Sequence, residues 1–468
     1  MRTKESFLYA KSIHTFGWPF HICERSAEAF TKKLKSNGWT EKDMDYKKQE
    51  DPEDFRNIFM LNQYLSASAK NIFLKPEKDI CGIYQFPMDS KEEYLYEIVC
   101  SDQRAYQLSI DCIELHVYHY GVGILWIHVL NGTEGREPYS SIEDVKAINN
   151  LGRRVMLPYV PADADGDILC AERLGIRMKN SICITDFRKL IRESGQGEVC
   201  EKLGQPTEFL YALLNNSLRG EPKNTAVKVE PFTDDRMFVS CLIRDDVLSR
   251  SIREGQAENS DEFRKLLYSV FYVDAEDATC QNREMRDELL RDTIYTRWSD
   301  YGTLWSVTSY SMMCITSASS DINESVVRPF YAEYKYLISL VFAQKIGIAK
   351  FSAGAGNIVK GVDKKGTIRS RQVKELINLQ EQYITFKNQL LIIEASNQEQ
   401  GIELYRMFVR QMRVEEEKSI LDEQLESLYE VTNVSNGNKL NIWGLRLAVL
   451  AIAIDLAAQT VFYYLGQI

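Results

Sequence analysis

Apolar and polar positions alternate along several short stretches in the first two thirds of the chain, and each such stretch predicts a half-buried strand. The clearest is QLSIDCIELHVYHYGVGILWIHVLN, Gln107 to Asn131, where alternation gives way to a β-branched and aromatic run. Gly121 and Gly123 punctuate it, so the pattern predicts a β-hairpin. SSIEDVKAINNLGRR follows, with Ser141 placed to cap a helix and Glu143 and Asp144 in its first turn. DRMFVSCLI and LLYSVFYVDA read as two further buried strands. Residues 1–325 are therefore expected to form a mixed α/β domain without internal repeats.

After residue 325 the period changes. RPFYAEYKYLISLVFAQKIGIAKF has helical spacing, and the Gly- and Lys-rich FSAGAGNIVKGVDKKGTIRS predicts a flexible break near 352–370. From Arg371 to Val431 a highly charged stretch without proline predicts one nearly continuous stalk helix reaching to about residue 440. Its second half fits a coiled-coil heptad, with Met407, Val414, Leu421 and Leu428 in one core column and Leu404, Gln411, Lys418 and Leu425 in the other. The first column is wholly apolar and predicts a seam against symmetry mates in a homo-oligomer.

Residues 441–468 form a third region. Leu447 to Leu465 has the length of a bilayer span, and nine of its residues are Leu, Ile, Val or Phe. Asp455 interrupts it, at about +2.5 to +3.5 kcal/mol against about −0.3 to −0.6 for each strongly apolar residue. At 100° per residue Gly444, Ala448, Ala451, Asp455, Ala458, Gln459, Phe462 and Gly466 share one face, opposite Leu450, Ile454, Val461 and Tyr464. Small and polar residues opposed to large apolar ones predict a transmembrane helix packed around a central axis, with Asp455, Gln459 and Gly466 lining it. Lys439 and Arg446 precede the span and no basic residue follows, which places the large N-terminal domain in the cytoplasm of a single-pass membrane protein.

Composition narrows the classes. The chain has 468 residues, 44% hydrophobic and 26% charged, so at most one or two spans accompany a large soluble part. A formal net charge of −10 argues against a nucleic-acid partner. Ten cysteines are scattered without a CxxC pair, which argues against a zinc site, and no cofactor is indicated. The N-terminus lacks the apolar region of a signal peptide.

Candidate chemistry is sparse, and none of it predicts an enzyme. His116 and His119 in HVYH would point to opposite faces of a strand and share no metal. GAGNIVKG has the glycines of a phosphate loop without its Lys-Ser/Thr ending. Cys280 has no nearby histidine in sequence to activate it and reads as a structural thiol. Asp234, Asp235 and Arg236 read as an ion-pair network that positions a strand, with a ligand contact as the alternative.

HTFGWPF from His14, INNLGRRVMLPYV from Ile148, DDRMF from Asp234, TCQNREM from Thr279, YTRWSDYGTLWSVTSYS from Tyr295 and NQEQGIELY from Asn397 resemble the CorA-like magnesium transporter proteins, a bacterial branch of the CorA family of divalent-cation channels. The resemblance implies a pentamer with a cytoplasmic funnel, axial stalk helices and a pore lined by the first span. In that family the first span ends in Gly-Met-Asn and a second span follows. Here only Gly466 matches that motif, so magnesium selectivity does not carry over. Three readings stay open: a divalent metal cation channel or transporter, a membrane-anchored sensor or effector whose cytoplasmic domain binds a ligand and whose span only tethers or assembles it, and a soluble protein whose C-terminal helix is buried.

Overall fold

The alternation from Gln107 to Asn131 folds as a hairpin of two long strands, Ala105–Tyr118 and Val122–Asn131, joined through Gly121 at a φ of +81° that a side chain would strain. The computed structural model describes residues 5–75, 80–89, 93–133, 135–156, 170–193, 206–218, 226–232, 235–274, 278–360 and 370–436. These divide into two units, Met1–Ile346 with Gln389–Arg413, and Gly347–Asn388 with Val414–Ile468. The first unit is mixed α/β and extends past residue 325 to take in more of the chain than the expected first domain.

Thirteen strands form one sheet: β1 (Ser12–Ile22), β2 (Thr40–Glu41), β3 (Cys81–Gln85), β4 (Leu95–Val99), β5 (Ala105–Tyr118), β6 (Val122–Asn131), β7 (Arg173–Arg177), β8 (Ile182–Asp186), β9 (Val229–Pro231), β10 (Phe238–Arg244), β11 (Ile294–Tyr295), β12 (Leu304–Val307) and β13 (Ser311–Thr316). Their main order is β11-β12-β13-β10-β1-β6-β5-β4-β7-β8, with β3 also beside β5, β2 beside β3, and β9 beside β1. All pairings are antiparallel except β10 with β13. β1 is the central strand, paired with β6 from Ser12–Asn131 to His21–Val122 and with β10 from Ser12–Ile243 to Gly17–Phe238. The β5–β6 register shifts between Ile110 and Cys112, a bulge at Asp111.

Both faces of the sheet are covered. On one, Phe16, Ile98, Ile113, Leu125, Ile127, Val239 and Ile315 join Val145 and Ile148 of helix Ile142–Gly152 and Leu267 and Phe271 of helix Asp261–Phe271 in a continuous apolar core. Burying each such large side chain contributes about 1.5–3 kcal/mol. On the other, Phe238 packs edge-on against Phe342 at 5.2 Å, and Trp305 against Tyr334 at 5.1 Å. Gly17 is needed here, because a Cβ would lie 2.4 Å from the Trp126 ring. Helix Ile142–Gly152 begins as expected, with Ser141 Oγ accepting from Asp144 N at 3.0 Å.

Several expectations are corrected. LLYSVFYVDA is not a strand: helix Asp261–Phe271 runs through most of it, capped by Ser260 Oγ on Phe263 N, with Asp261 and Glu262 favouring its N-terminus. The Gly-rich segment is not a break before 360. Helix Tyr334–Lys360 passes through it, and its glycines serve packing: a Cβ on Gly347 would lie 2.3 Å from the Phe386 ring, and one on Gly354 2.9 Å from Leu379. The stalk is not continuous either. It forms three helices, Ser370–Leu390, Glu399–Gln411 and Val414–Asn436, interrupted at 391–398 and at Arg413, whose φ is +55°.

In the second unit Val414, Leu421 and Leu425 are buried beside helix Ser370–Leu390, whose Tyr383 donates to Asp422 Oδ1 at 2.8 Å. Phe351 packs against Tyr383 and Phe386 at 5.4 and 5.2 Å. Of the apolar column, Val414 and Leu421 are therefore buried, while Met407 and Leu428 are half-buried. One helical stretch among the described residues, Ser320–Val359, is long and apolar enough to cross a membrane, and 67% of its apolar window is buried inside the protein, as in the core helix of a soluble protein.

Candidate functional site

Asp455, Gln459 and Gly466 lie outside the described residues. Met407 and Leu428 are half-buried and Val414 and Leu421 buried, with Met407 on a different helix from the other three. His116 and His119 do not converge, since His116 is buried on β5 and His119 sits in the turn with its ring 3.9 Å from Tyr120. Cys280 is half-buried, its Sγ 3.6 Å from the Asn282 carbonyl. Asp234 lies outside the described residues, but Asp235 and Arg236 form the expected ion-pair network.

That network is where separate sequence motifs meet. Helix Ile142–Gly152 delivers Arg153 and Arg154 beside the start of β10. Arg154 Nη1 donates to Asp235 Oδ2 at 2.6 Å, and Arg236 Nε lies 3.3 Å from Asp235 Oδ1. Val155 N and Met156 N both donate to the Asp235 carbonyl, and Met237 N donates to the Arg153 carbonyl, so the backbone fixes the side chains in place. Arg153 Nη2 reaches Val273 O at 3.2 Å. The Arg236 guanidinium stands 5.3 Å from the Tyr310 ring centre. One carboxylate thus answers two guanidinium groups, and Arg154 Nε is buried with no hydrogen-bond partner among the described residues. Burial pushes the neighbouring Cys170 thiol up to about 12, so it is no nucleophile at neutral pH.

The contacts continue along β1 and β10. His14 Nδ1 is 2.7 Å from Asn149 Oδ1 and its Nε2 is 2.9 Å from Ser12 Oγ. Complete burial lowers the His14 pKa to about 4, so the ring is neutral at physiological pH. His14, Asn149, Arg154, Asp235 and Tyr310, from four motifs widely separated in sequence, are thus brought together by hydrogen bonds and, at Tyr310, by the Arg236 cation–ring contact.

A second polar cluster, which the sequence did not reveal, lies within the sheet's other face. Glu114 on β5 is buried between Lys335 Nζ at 2.5 Å and Lys42 Nζ at 3.1 Å. Burial alone would raise the Glu114 pKa, but the two lysines outweigh it and hold the carboxyl well below its ordinary value. His116 Nδ1 meets Ser339 Oγ at 2.7 Å, and His128 Nδ1 meets Thr15 Oγ1 at 3.0 Å. Burial lowers His116 to about 3 and drives His128 well below its ordinary value, so both are neutral. Among the described residues no three His, Cys, Asp or Glu side chains are grouped as a metal site requires. The one available signal was the run of Glu114 and His116 on a single strand face, with the parity that follows the bulge.

Compared with known proteins, the chain matches no family model, no curated protein and no solved structure.

Proposed function

We propose that the protein is a membrane-anchored sensor or effector whose sheet domain binds an anionic ligand at Arg154 and Arg236 and whose C-terminal segment tethers or assembles it as a homo-oligomer. One observation carries this reading: motif segments far apart in sequence supply the residues of one rigid guanidinium cluster, in which Arg154 keeps a spare buried donor. Guanidinium groups held by backbone and a shared carboxylate are pre-organised to bind carboxylate or phosphate. The test is a thermal-shift screen of the detergent-purified full chain against carboxylates and phosphate esters. At least one anion stabilises the parent, and that stabilisation is lost in Arg154→Gln; equal shifts in parent and variant would overturn the assignment.

A second reading, a divalent-cation channel or transporter, is favoured by the resemblance and by the sequence face that joins Asp455 to Gln459. Liposomes containing the full chain would then conduct divalent cations, and Asp455→Leu would abolish the flux. Ligand binding without flux separates the tethered sensor from the channel.

A further inference from the structure

The long helical stretch that begins at Ser320 is irregular as far as Glu333. It starts as a 3-10 turn over Ser320–Ile322, widens to a π turn over Asn323–Val327, continues as an α-helix over Arg328–Ala332, and breaks at Glu333 before helix Tyr334–Lys360. Arg328 N reaches the Asn323 carbonyl five residues back, and Pro329 has no N–H with which to close a narrower turn. Changes of helix type of this kind mark hinges and functional segments.

Two buried side chains with orphan oxygens bound the segment. Asn323 Oδ1 and Glu333 Oε2 have no hydrogen-bond partner among the described residues, and their residues are 8% and 2% exposed. Arg328 lies between them in sequence and is already committed. A guanidinium has five N–H groups, and five contacts take them: Glu324 Oε2 and Oε1 at 3.0 and 3.4 Å, Glu5 Oε1 at 3.3 Å, Asn57 Oδ1 at 3.1 Å, and Glu53. Three carboxylates thus saturate the cation whose charge acts on Glu333.

Burial raises the Glu333 pKa to about 7 against the attraction of Arg328. Tyr64 of helix Pro52–Tyr64 and the adjacent Tyr334 also feel the Glu333 charge, and burial keeps both hydroxyls neutral. Their rings tie the junction to its surroundings, since Tyr334 meets Tyr64 at 5.7 Å and Trp305 of β12 at 5.1 Å. Glu5, Glu53 and Glu324 face the same guanidinium, and burial raises Glu53 as well, so substitution is needed to isolate Glu333.

We infer that residues 323–333 form a proton-gated hinge, in which neutral Glu333 keeps the junction closed on Tyr64 and Trp305 and loss of its proton drives the junction open. The ionised carboxylate has no donor inside, and only an opened junction gives it water. The closed form holds the proton up to about pH 7, whereas an opened, hydrated carboxyl holds it only to its ordinary 4.5. Acid therefore favours the closed form, about tenfold for each pH unit between those values, with little further change above 7. The inference does not depend on the Arg154 cluster.

Hydrogen exchange read by mass spectrometry on the detergent-purified full chain, at pH 5.5 and 7.5, tests this once protection is corrected for the intrinsic exchange rate. Peptides covering 330–340 should be roughly twentyfold more protected at pH 5.5. Strand Val122–Asn131 is the internal reference for unfolding of the whole domain. It should change in the opposite direction, because burial lowers the pKa values of His14, His116 and His128 and acid then destabilises the folded state. Glu333→Gln keeps the shape of the neutral acid, so its hinge peptides should be equally protected at both pH values. A melting curve checks that variant, and if its fold is lost Glu333→Met takes its place with the same expectation. Equal protection of the hinge at the two pH values in the parent, or a hinge that follows Val122–Asn131, overturns the inference. So does an acid gain that survives in the variant, which would put the titration at another group such as Glu53.

Discussion

The two faces of the central sheet are both buried but differently built. One is mainly apolar, from Phe16 and Ile127 to Leu267, with the buried His14–Asn149 pair set within it, and its packing depends largely on volume and shape. The other embeds Glu114, Lys335, His116 and His128 among aromatic rings and depends on each charge meeting its partner. An apolar layer degrades gradually as methylene groups are removed, whereas a charged one fails when a single partner is missing, because the remaining ion is left in a low-dielectric interior. The difference shows that buried area alone does not describe what holds this domain together.

The largest effect is expected at the charged face. Glu114→Gln leaves Lys42 and Lys335 without their common carboxylate and should cost about 3–5 kcal/mol in denaturant unfolding. Glu114→Leu combined with Lys42→Met and Lys335→Met should recover most of that. A single variant as stable as the parent would remove the distinction between the faces. On the apolar face, Leu125→Ala should cost about 2–5 kcal/mol.

Acid should reach the two faces unequally. His14, His116 and His128 have folded-state pKa values below their ordinary value, so the unfolded chain binds more protons and stability is lost as pH falls through about 6.5. Between pH 7.5 and 5.5 each ring should cost about 1.4 kcal/mol. Glu333 acts in the opposite sense. Burial raises its pKa to about 7, so its folded form holds the extra proton and lowering the pH from 7.5 to 5.5 restores stability by about 2 kcal/mol. Glu333→Gln should therefore steepen the acid loss, and an unchanged slope would show that Glu333 does not titrate there. The smallest effect belongs to the rim of the apolar layer, where Ser141→Ala removes the cap of helix Ile142–Gly152 and should shift unfolding by about 1 kcal/mol.

The apolar face was the legible one. Alternation placed the β5–β6 hairpin and β10, and cap chemistry placed the helix after Ser141, because both signals are local. LLYSVFYVDA misled because a short apolar run has no period of its own; Ser260 and the acidic turn ahead of it decided the helix. The stalk misled for another reason. A heptad column states that a helix has a partner and not which one, and here Val414 and Leu421 are buried within their own chain. The Asp235 and Arg236 pairing was readable from adjacent charges, but Arg154 and Tyr310 reach it only through the topology. Lys42, Glu114 and Lys335 are far apart in sequence, and no spacing rule links them.

The bulge at Asp111 has a hereditary consequence. Before it the apolar core takes the even positions Tyr106, Leu108 and Ile110; after it, the odd positions Ile113, Leu115 and Val117. One additional residue resets the phase of the strand, and that reset sends Glu114 and His116 to the charged side. A codon lost anywhere between Ile110 and Ile113 would therefore be far more damaging than any substitution there. It would exchange the inward and outward lettering of half a strand at once, sending Glu114 into the apolar layer. Mutational scans that include deletions should find this short segment nearly intolerant of length change, while at position 111 itself the side chain also matters, because the Asp111 carboxylate accepts a hydrogen bond from the Tyr331 hydroxyl.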